Sequence, residues 1–141
     1  MNILIKPDNF NKNYTQFLET KPNMLFDGLF TKINYCDEFM IMYGINLDLP
    51  IDKSYNNIKP ILTNAIFNQF HKIEMDLISE YLSHRPRDNY IITQKLTEFI
   101  RSKYDICESG AGESLAILKI SGIWENVNGE IGLSFKLMNI S

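Results

Sequence analysis

Few residues in this chain have the types and spacing that catalysis or metal binding requires. His71 and Glu74 lie three residues apart, and on a helix that spacing could place two ligands on one metal ion. No second His or Cys ligand lies nearby and the flanking residues are apolar, so we interpret the pair as polar residues at the surface or its boundary. The glycine-rich segment 108–114 could hold a phosphate with backbone N–H groups. It lacks the Lys-Ser/Thr of a phosphate-binding loop and precedes a predicted strand, which favours a flexible connector.

The remaining nucleophiles and acids form no catalytic set either. Gly132-Leu133-Ser134 lacks the strand–turn–helix context of a nucleophile elbow, and spacing alone brings together no Cys/His dyad or carboxylate pair. We therefore expect a non-catalytic protein without cofactor or metal, and no small-molecule substrate is indicated. Cys36 and Cys107 are interpreted as reduced apolar thiols, with one disulfide between them as the alternative.

Charge and aromatic content point instead to binding. The 141-residue chain has a formal net charge of −3, so broad electrostatic binding to duplex DNA is not expected and any basic surface must be local. Within LKISGIWENVNGEIGLSFKL, residues 118–137, two lysines interrupt apolar runs of strand length. We predict that Lys119, Lys136 and Lys32 contact the phosphates of single-stranded nucleic acid. Tyr43 or Tyr35 would stack on its bases.

Two other interpretations of the lysine-bearing face stay open. The lysines could simply keep a solvated edge strand from aggregating, or the face could bind a protein. Arg85 and Arg87, beside His84 and Pro86, form the densest basic cluster of the chain. They are secondary candidates for phosphate contacts, and the alternative is that they complement the dipole of a helix C-terminus or face water.

The hydrophobic pattern predicts two antiparallel hairpins. Residues 24–35 and 39–49 form the first, and alternating apolar residues place Tyr43 on the same face as Ile45. Residues 115–124 and 131–140 form the second, joined at the turn-forming pair Asn128-Gly129. A two-residue loop there pairs Trp124 with Leu133 and assigns the tryptophan to the core. The residues assigned to this core face are Leu118, Ile120, Trp124, Leu133, Phe135 and Leu137.

Helices are predicted between the two hairpins. Apolar residues at spacings of three and four from Leu62 to Tyr81 predict a long amphipathic helix over about 60–83, which Pro86 ends. A shorter helix is predicted over about 93–104, with Thr93 as its N-cap. A short apolar strand is predicted at 3–6, and residues 8–23 are interpreted as a polar segment with at most a helical turn.

These elements predict one α+β domain over residues 1–141. Its sheet would have five antiparallel strands in an OB-like arrangement or partial barrel, with both helices between the third and fourth strands. An antiparallel sheet packed on one long helix would give the same order of elements.

The C-terminal block ILKISGIWENVNGEIGLSFKLMNI resembles the ending of small proteins from nucleocytoplasmic large DNA viruses. Those proteins end in an apolar run, Lys-Ile-Ser-Gly-Ile-Trp, a short turn, and Gly-Leu-Thr/Ser-Tyr/Phe-Lys. FTKINYCDEFMIMYGINLDLPI, residues 30–51, resembles their upstream hairpin, and HKIEMDLISEY their central helix. Gly122-Ile123-Trp124 and residues 132–136 are also similar to the last hairpin of viral OB-type single-strand-binding proteins.

The resemblance implies a viral protein inside the host cell, in the cytoplasm, the viral factory or the virion. No membrane-spanning or signal segment is expected. The leading hypothesis is single-stranded nucleic-acid binding. The alternative is a structural or assembly protein that acts through a viral protein partner or through homo-oligomerisation, with Met40, Met42 and Met138 marking an adaptable apolar patch.

Overall fold

The computed structural model describes residues 4–23, 27–37, 39–52, 59–60, 64–103 and 113–139. The predicted α+β class is confirmed, since eight strands within these ranges belong to one sheet that packs against two α-helices. The strands are β1 (Thr15–Pro22), β2 (Gly28–Cys36), β3 (Ile41–Tyr43), β4 (Ile45–Asp52), β5 (Lys59–Pro60), β6 (Ile91–Ile92), β7 (Glu113–Asn126) and β8 (Glu130–Asn139). The helices are α1 (Asn64–His84) and α2 (Lys95–Lys103), and short 3-10 turns cover Pro7–Asn9 and Lys12–Tyr14. Cys107 lies outside the described residues, as does most of the segment 108–114.

The long strand β7 is the centre of the sheet. One edge of β7 pairs with β8, while the other edge pairs first with β4 and then with β2. Strand β2 in turn carries β1 on its far edge and β3 beyond the point where β7 leaves it. Strand β7 changes partner from β4 to β2 between Ile120 and Gly122.

The prediction of five strands is wrong. The segment 15–22 is a strand because it pairs antiparallel with β2, and its polar side chains face solvent at the edge of the sheet while Phe17 packs against the core. The two-residue strand β6 pairs in parallel with β8. The helices therefore lie between β5 and β7 with β6 between them, and not between the third and fourth of five strands. Of the predicted strand at 3–6, the described residues 4–6 form a single bridge, from Ile5 to Leu47, and residue 3 lies outside the described ranges.

Gly44 separates two strands that the alternating pattern joined into one. Its φ of +83° is unfavourable for other residues, and its N–H donates to Ile33 O at 2.9 Å. The break reverses which side chains face inward, so Met42 and Ile45 are both buried. Tyr43 is consequently on the outer face, opposite to Ile45, with which the alternating pattern groups it.

A β-bulge at Ser121 shifts the register between β7 and β8. The turn between these strands also has three residues, 127–129, with Gly129 at φ +83°. Trp124 therefore pairs with Gly132 and not with Leu133. Its assignment to the core face is wrong: Ile123 is fully buried in its place, whereas Trp124 is half-buried on the outer face, where the Lys95 ammonium lies 4.8 Å from its ring.

The core lies between the inner face of the sheet and α1. Every third or fourth residue of the helix is apolar, and Phe70, Leu77 and Tyr81 are fully buried. Neither helix within the described ranges combines the length and apolar character that crossing a membrane requires.

Glu74 anchors α2 to α1, which corrects its interpretation as a surface or boundary residue. Its carboxylate is fully buried and accepts hydrogen bonds from Leu96 N at 2.9 Å and from Thr97 N at 3.1 Å. Thr97 Oγ1 also donates to it at 2.6 Å, and His71 Nδ1 lies 3.0 Å from the same hydroxyl. Glu74 thus caps the N-terminus of α2 from the neighbouring helix, where a negative charge is favourable.

Candidate nucleic-acid interface

A groove on the outer face of the sheet brings three of the predicted site residues together. Lys32 of β2, Tyr43 of β3 and Lys119 of β7 line the same cavity of about 410 Å³. Its other walls include Leu18, Phe30 and Ser121. We call this cavity the outer groove.

One backbone irregularity places Tyr43 on the outer face, and a second lies close to it. Gly44 turns Tyr43 outward, and the bulge at Ser121 lies beside it on β7. A Cβ on Gly44 would stand 3.0 Å from Ile120 O and 3.3 Å from Lys119 Cε. The aliphatic stem of Lys119 therefore runs over the glycine, and this close approach directs its ammonium toward the groove.

Lys136 extends the positive charge of the groove. It is exposed on β8 and pairs in register with Lys119, whose other neighbour is Asn46 of β4. Within the described residues, neither lysine forms an ion pair with a carboxylate. These two paired positions therefore carry two positive charges, and neither charge has a carboxylate partner among the described residues.

Aromatic surface lies at the same end of the groove. Tyr43 is 79% exposed, and Phe39 and Ile41 beside it are 86% and 65% exposed. The turn that carries them is ordered by Asp37, whose Oδ1 accepts from Phe39 N at 2.8 Å and from Met40 N at 3.0 Å. Exposed rings next to ammonium groups can stack on bases while the lysines contact phosphates.

A second cavity continues the outer groove along β1 and β2. It measures about 440 Å³, shares Leu18, Phe30 and Lys32 with the first, and adds Lys21 and one acid, Glu19. The sequence pattern does not indicate Lys21 and Phe30. Lys21 lies on a strand that the polar composition of 8–23 did not reveal, and Phe30 lies within a predicted strand whose faces were not assigned.

Comparison with known proteins adds no relative to this description. No family model, no curated protein and no solved structure matches the chain.

Tyr35 is not part of the interface, so its assignment as a stacking residue is wrong. The ring is 4% exposed and packs between Phe10 and Tyr14, with ring centroids 5.8 Å from each. Its hydroxyl accepts from Asn11 N at 3.1 Å. Burial raises the pKa of this hydroxyl above its usual value, against the opposing effect of the bond from Asn11. Tyr35 lies on the inner face because it alternates with Asn34, which lines the groove.

Neither arginine lines the outer groove. Arg87 Nη2 lies 2.5 Å from Glu125 Oε2, and Glu125 is 2% exposed, so this pair holds the segment after α1 against the sheet. Arg87 is therefore not free to contact a phosphate of the outer groove. Arg85 lies in a separate cleft between β1 and the end of α1. Within the described ranges, no three His, Cys, Asp or Glu side chains lie close enough to hold a metal ion.

Proposed function

We propose that the outer groove binds single-stranded nucleic acid and that the protein is non-catalytic. The observation that carries the proposal is the convergence of Lys32, Tyr43 and Lys119, from three different strands, on one groove. Lys136 adds a fourth functional group beside Lys119. Ammonium groups supply the salt-dependent attraction to phosphates, and the exposed tyrosine supplies a flat surface for a base.

The charge distribution favours single strands over duplex DNA. With a net charge of −3, the chain repels a long duplex except where cations are concentrated. The groove offers only a few lysines, but stacking on an aromatic ring contributes about 1–3 kcal/mol per base and requires unpaired bases. Two further hypotheses belong to this proposal. One is that the fold is OB-like, and the other is the viral origin that the resemblance of the C-terminal block implies.

The test is fluorescence anisotropy of a labelled single-stranded oligonucleotide across a salt series. We expect binding at low salt. In a plot of the logarithm of the binding constant against the logarithm of the salt concentration, the magnitude of the slope should decrease by about 0.7 for each phosphate contact that a substitution removes. The double variant Lys119→Glu, Lys136→Glu should bind much more weakly. A matched control is Lys12→Glu with Lys72→Glu, because both of these lysines are exposed outside the groove. Absence of binding by the unmodified protein at low salt would refute the proposal, and equal loss in both double variants would refute the site.

A second candidate function is protein binding through the β2–β3 turn. The exposed Phe39, Ile41 and Tyr43 favour it, because large apolar side chains grouped on a surface often mark a protein contact. The methionine patch predicted for this role does not form, since Met42 is in the core and Met138 is half-buried. Protein binding here would be insensitive to salt, which separates it from phosphate binding.

A further inference from the structure

The cavity beside the outer groove carries a second set of groups suited to a nucleotide. It has a volume of about 440 Å³, and its walls include Lys21 of β1 and Phe30 of β2, which pair directly with each other. Leu18, Phe30 and Lys32 line both this cavity and the outer groove, so the two adjoin along β2. We call it the adjoining cavity.

Phe30 offers an aromatic ring where the two cavities meet. The end of the ring lies over Gly122 of β7, where a Cβ would stand 2.6 Å from Phe30 Cζ. A larger residue at position 122 would therefore displace the ring from the sheet. The Phe30 side chain is half-buried, and it lines both cavities. An aromatic ring on such a surface can stack on a nucleobase of any type, because every base has a π-face.

The side chains along β2 place a cation between two aromatic rings. Phe30, Lys32 and Asn34 are alternate residues that line the outer groove, and Asn34 pairs with Tyr43 of β3. At the rise of a β-strand, the positions of Phe30 and Asn34 are about 13 Å apart, and the exposed Lys32 lies midway between them. At about 3.4 Å per stacked nucleotide, this distance corresponds to about four nucleotides. A single nucleotide is therefore too short to reach both rings.

Positive charge continues from the outer groove into the adjoining cavity. Lys21 and Lys32 are exposed, and neither ammonium forms an ion pair with a carboxylate among the described residues. Glu19 is the acid among the described residues that line this cavity, and it also borders the separate cleft between β1 and α1. Two ammonium groups thus outnumber one carboxylate, and this balance favours an anionic backbone.

We propose that the ligand of the outer groove is a single strand several nucleotides long that continues into the adjoining cavity. One base stacks on Tyr43 and a second on Phe30, while Lys32 contacts the backbone between them. Lys21 contacts a phosphate beyond Phe30. This inference rests on the proposed function, and it adds to that function a minimum length for the strand. A mononucleotide would leave one of the two rings without a base.

The length of the strand is the first quantity to vary. Fluorescence anisotropy at low salt is measured with labelled oligothymidylates of about 2, 4, 6 and 8 nucleotides. We expect affinity to rise steeply once a strand reaches both rings and to change little beyond that length. Phe30→Leu, which removes the ring but keeps an apolar side chain, should weaken binding of the longer strands by about five- to hundredfold. It should affect the shortest strand little, because that strand can still use Tyr43.

Lys21→Gln tests the adjoining cavity without disturbing the packing of the sheet, because Lys21 is exposed. It should weaken binding of the longer strands only. For those strands, the logarithm of the binding constant should also depend less steeply on the logarithm of the salt concentration, by about 0.7 in the slope. Lys12→Gln is the matched control, since Lys12 is exposed outside both cavities, and it should leave binding unchanged.

The outcomes separate this inference from the proposed function. If no strand of any length binds at low salt, the proposed function fails and this inference fails with it. If strands bind but the shortest and the longest bind equally well, only the continuation into the adjoining cavity is overturned. The same conclusion follows if Lys21→Gln and a Phe30→Leu variant with unchanged circular dichroism both bind the longest strand as the unmodified protein does.

Discussion

Lys119 of β7 lies directly opposite Lys136 of β8 on the outer face of the sheet. Like charges in directly opposed positions destabilise an antiparallel pair. Neither lysine has a carboxylate partner among the described residues, and the Lys119 stem turns over Gly44 toward the outer groove. Under the proposed function, a phosphate between the two ammonium groups would remove this repulsion.

Substitution of Lys136 in this pair should change stability and oligonucleotide binding in opposite directions. Lys136→Glu replaces the repulsion with an attraction across the strands, so we expect a small increase in the denaturant midpoint. The same change should weaken oligonucleotide binding and lower its salt dependence. Urea unfolding and anisotropy on one preparation measure both effects. Lys72→Glu, on α1, should change neither, and a loss of stability in Lys136→Glu would contradict the argument.

Gly44→Ala should destabilise the protein and disturb the groove. Its φ of +83° is strained for alanine, and the added Cβ would contact Ile120 O at 3.0 Å and Lys119 Cε at 3.3 Å. We expect a loss of about 1–3 kcal/mol in the free energy of unfolding and weaker oligonucleotide binding. Gly129→Ala is the matched control, because Gly129 has the same φ but its Cβ would come no closer than 3.8 Å to Asn89 O. Equal costs at the two glycines would show that the close approach to β7 is unimportant.

Glu74→Gln should weaken the attachment of α2 to α1. An amide can replace one carboxylate oxygen, but its NH₂ group would then face a donor, either Leu96 N or the Thr97 groups. Hydrogen bonds to charged groups contribute about 1.5–3 kcal/mol, and we expect a loss in that range by chemical denaturation. Glu80→Gln, on the same helix, changes only a pair with His84 at 3.6 Å and should have almost no effect. Similar losses in both variants would mean that the buried cap contributes nothing.

Arg87→Leu should be among the most damaging single changes outside the core. It leaves the 2%-exposed Glu125 carboxylate without its cation, and removing one partner of a buried pair costs about 3–5 kcal/mol. Adding Glu125→Leu should recover much of the loss, because the unpaired charge is then gone. Thermal unfolding of the single and double variants measures the coupling. If the double variant loses as much stability as the two single variants lose together, the two side chains are not coupled.

Asp48 should make stability depend on pH in the acidic range. Burial raises the pKa of its carboxyl, an effect that the nearby Lys6 partly reduces, and its Oδ1 has no hydrogen-bond partner among the described residues. The folded state therefore binds the proton more tightly than the unfolded chain does. The stability contributed by protonation is present below the unfolded pKa of 3.8 and is lost as pH rises through the higher folded pKa. Relative to the unmodified protein, Asp48→Asn should gain stability from about pH 3 to about pH 7. A difference that stays constant across this range would show that Asp48 does not titrate abnormally.

Local patterns explain how much of the fold could be predicted. The apolar spacing from Leu62 to Tyr81 and the alternation along the strands depend only on residues close in sequence. They suffice for the α+β class. The edge strand β1 could not be found in this way, because the polar residues of 15–22 become a strand only by pairing with β2.

The candidate site was predictable in part for the same reason. Lys119 and Lys136 share a face through hairpin pairing. Tyr35 and Arg87 are unavailable to a ligand because Tyr35 packs against Phe10 and Tyr14 and Arg87 pairs with Glu125. These partners come from distant parts of the chain. No local pattern reports such contacts.

The sequence by itself determined the class of fold and the closing hairpin. Only the tertiary structure decided which side chains face outward. Side chains alternate with a period of two, so the break at Gly44 and the bulge at Ser121 each place the residues before and after them in opposite alternation. Ile123 thereby replaces Trp124 in the core and Tyr43 reaches the groove. The two irregularities are stable because β2, β4 and β7 meet there, a contact between segments far apart in the chain.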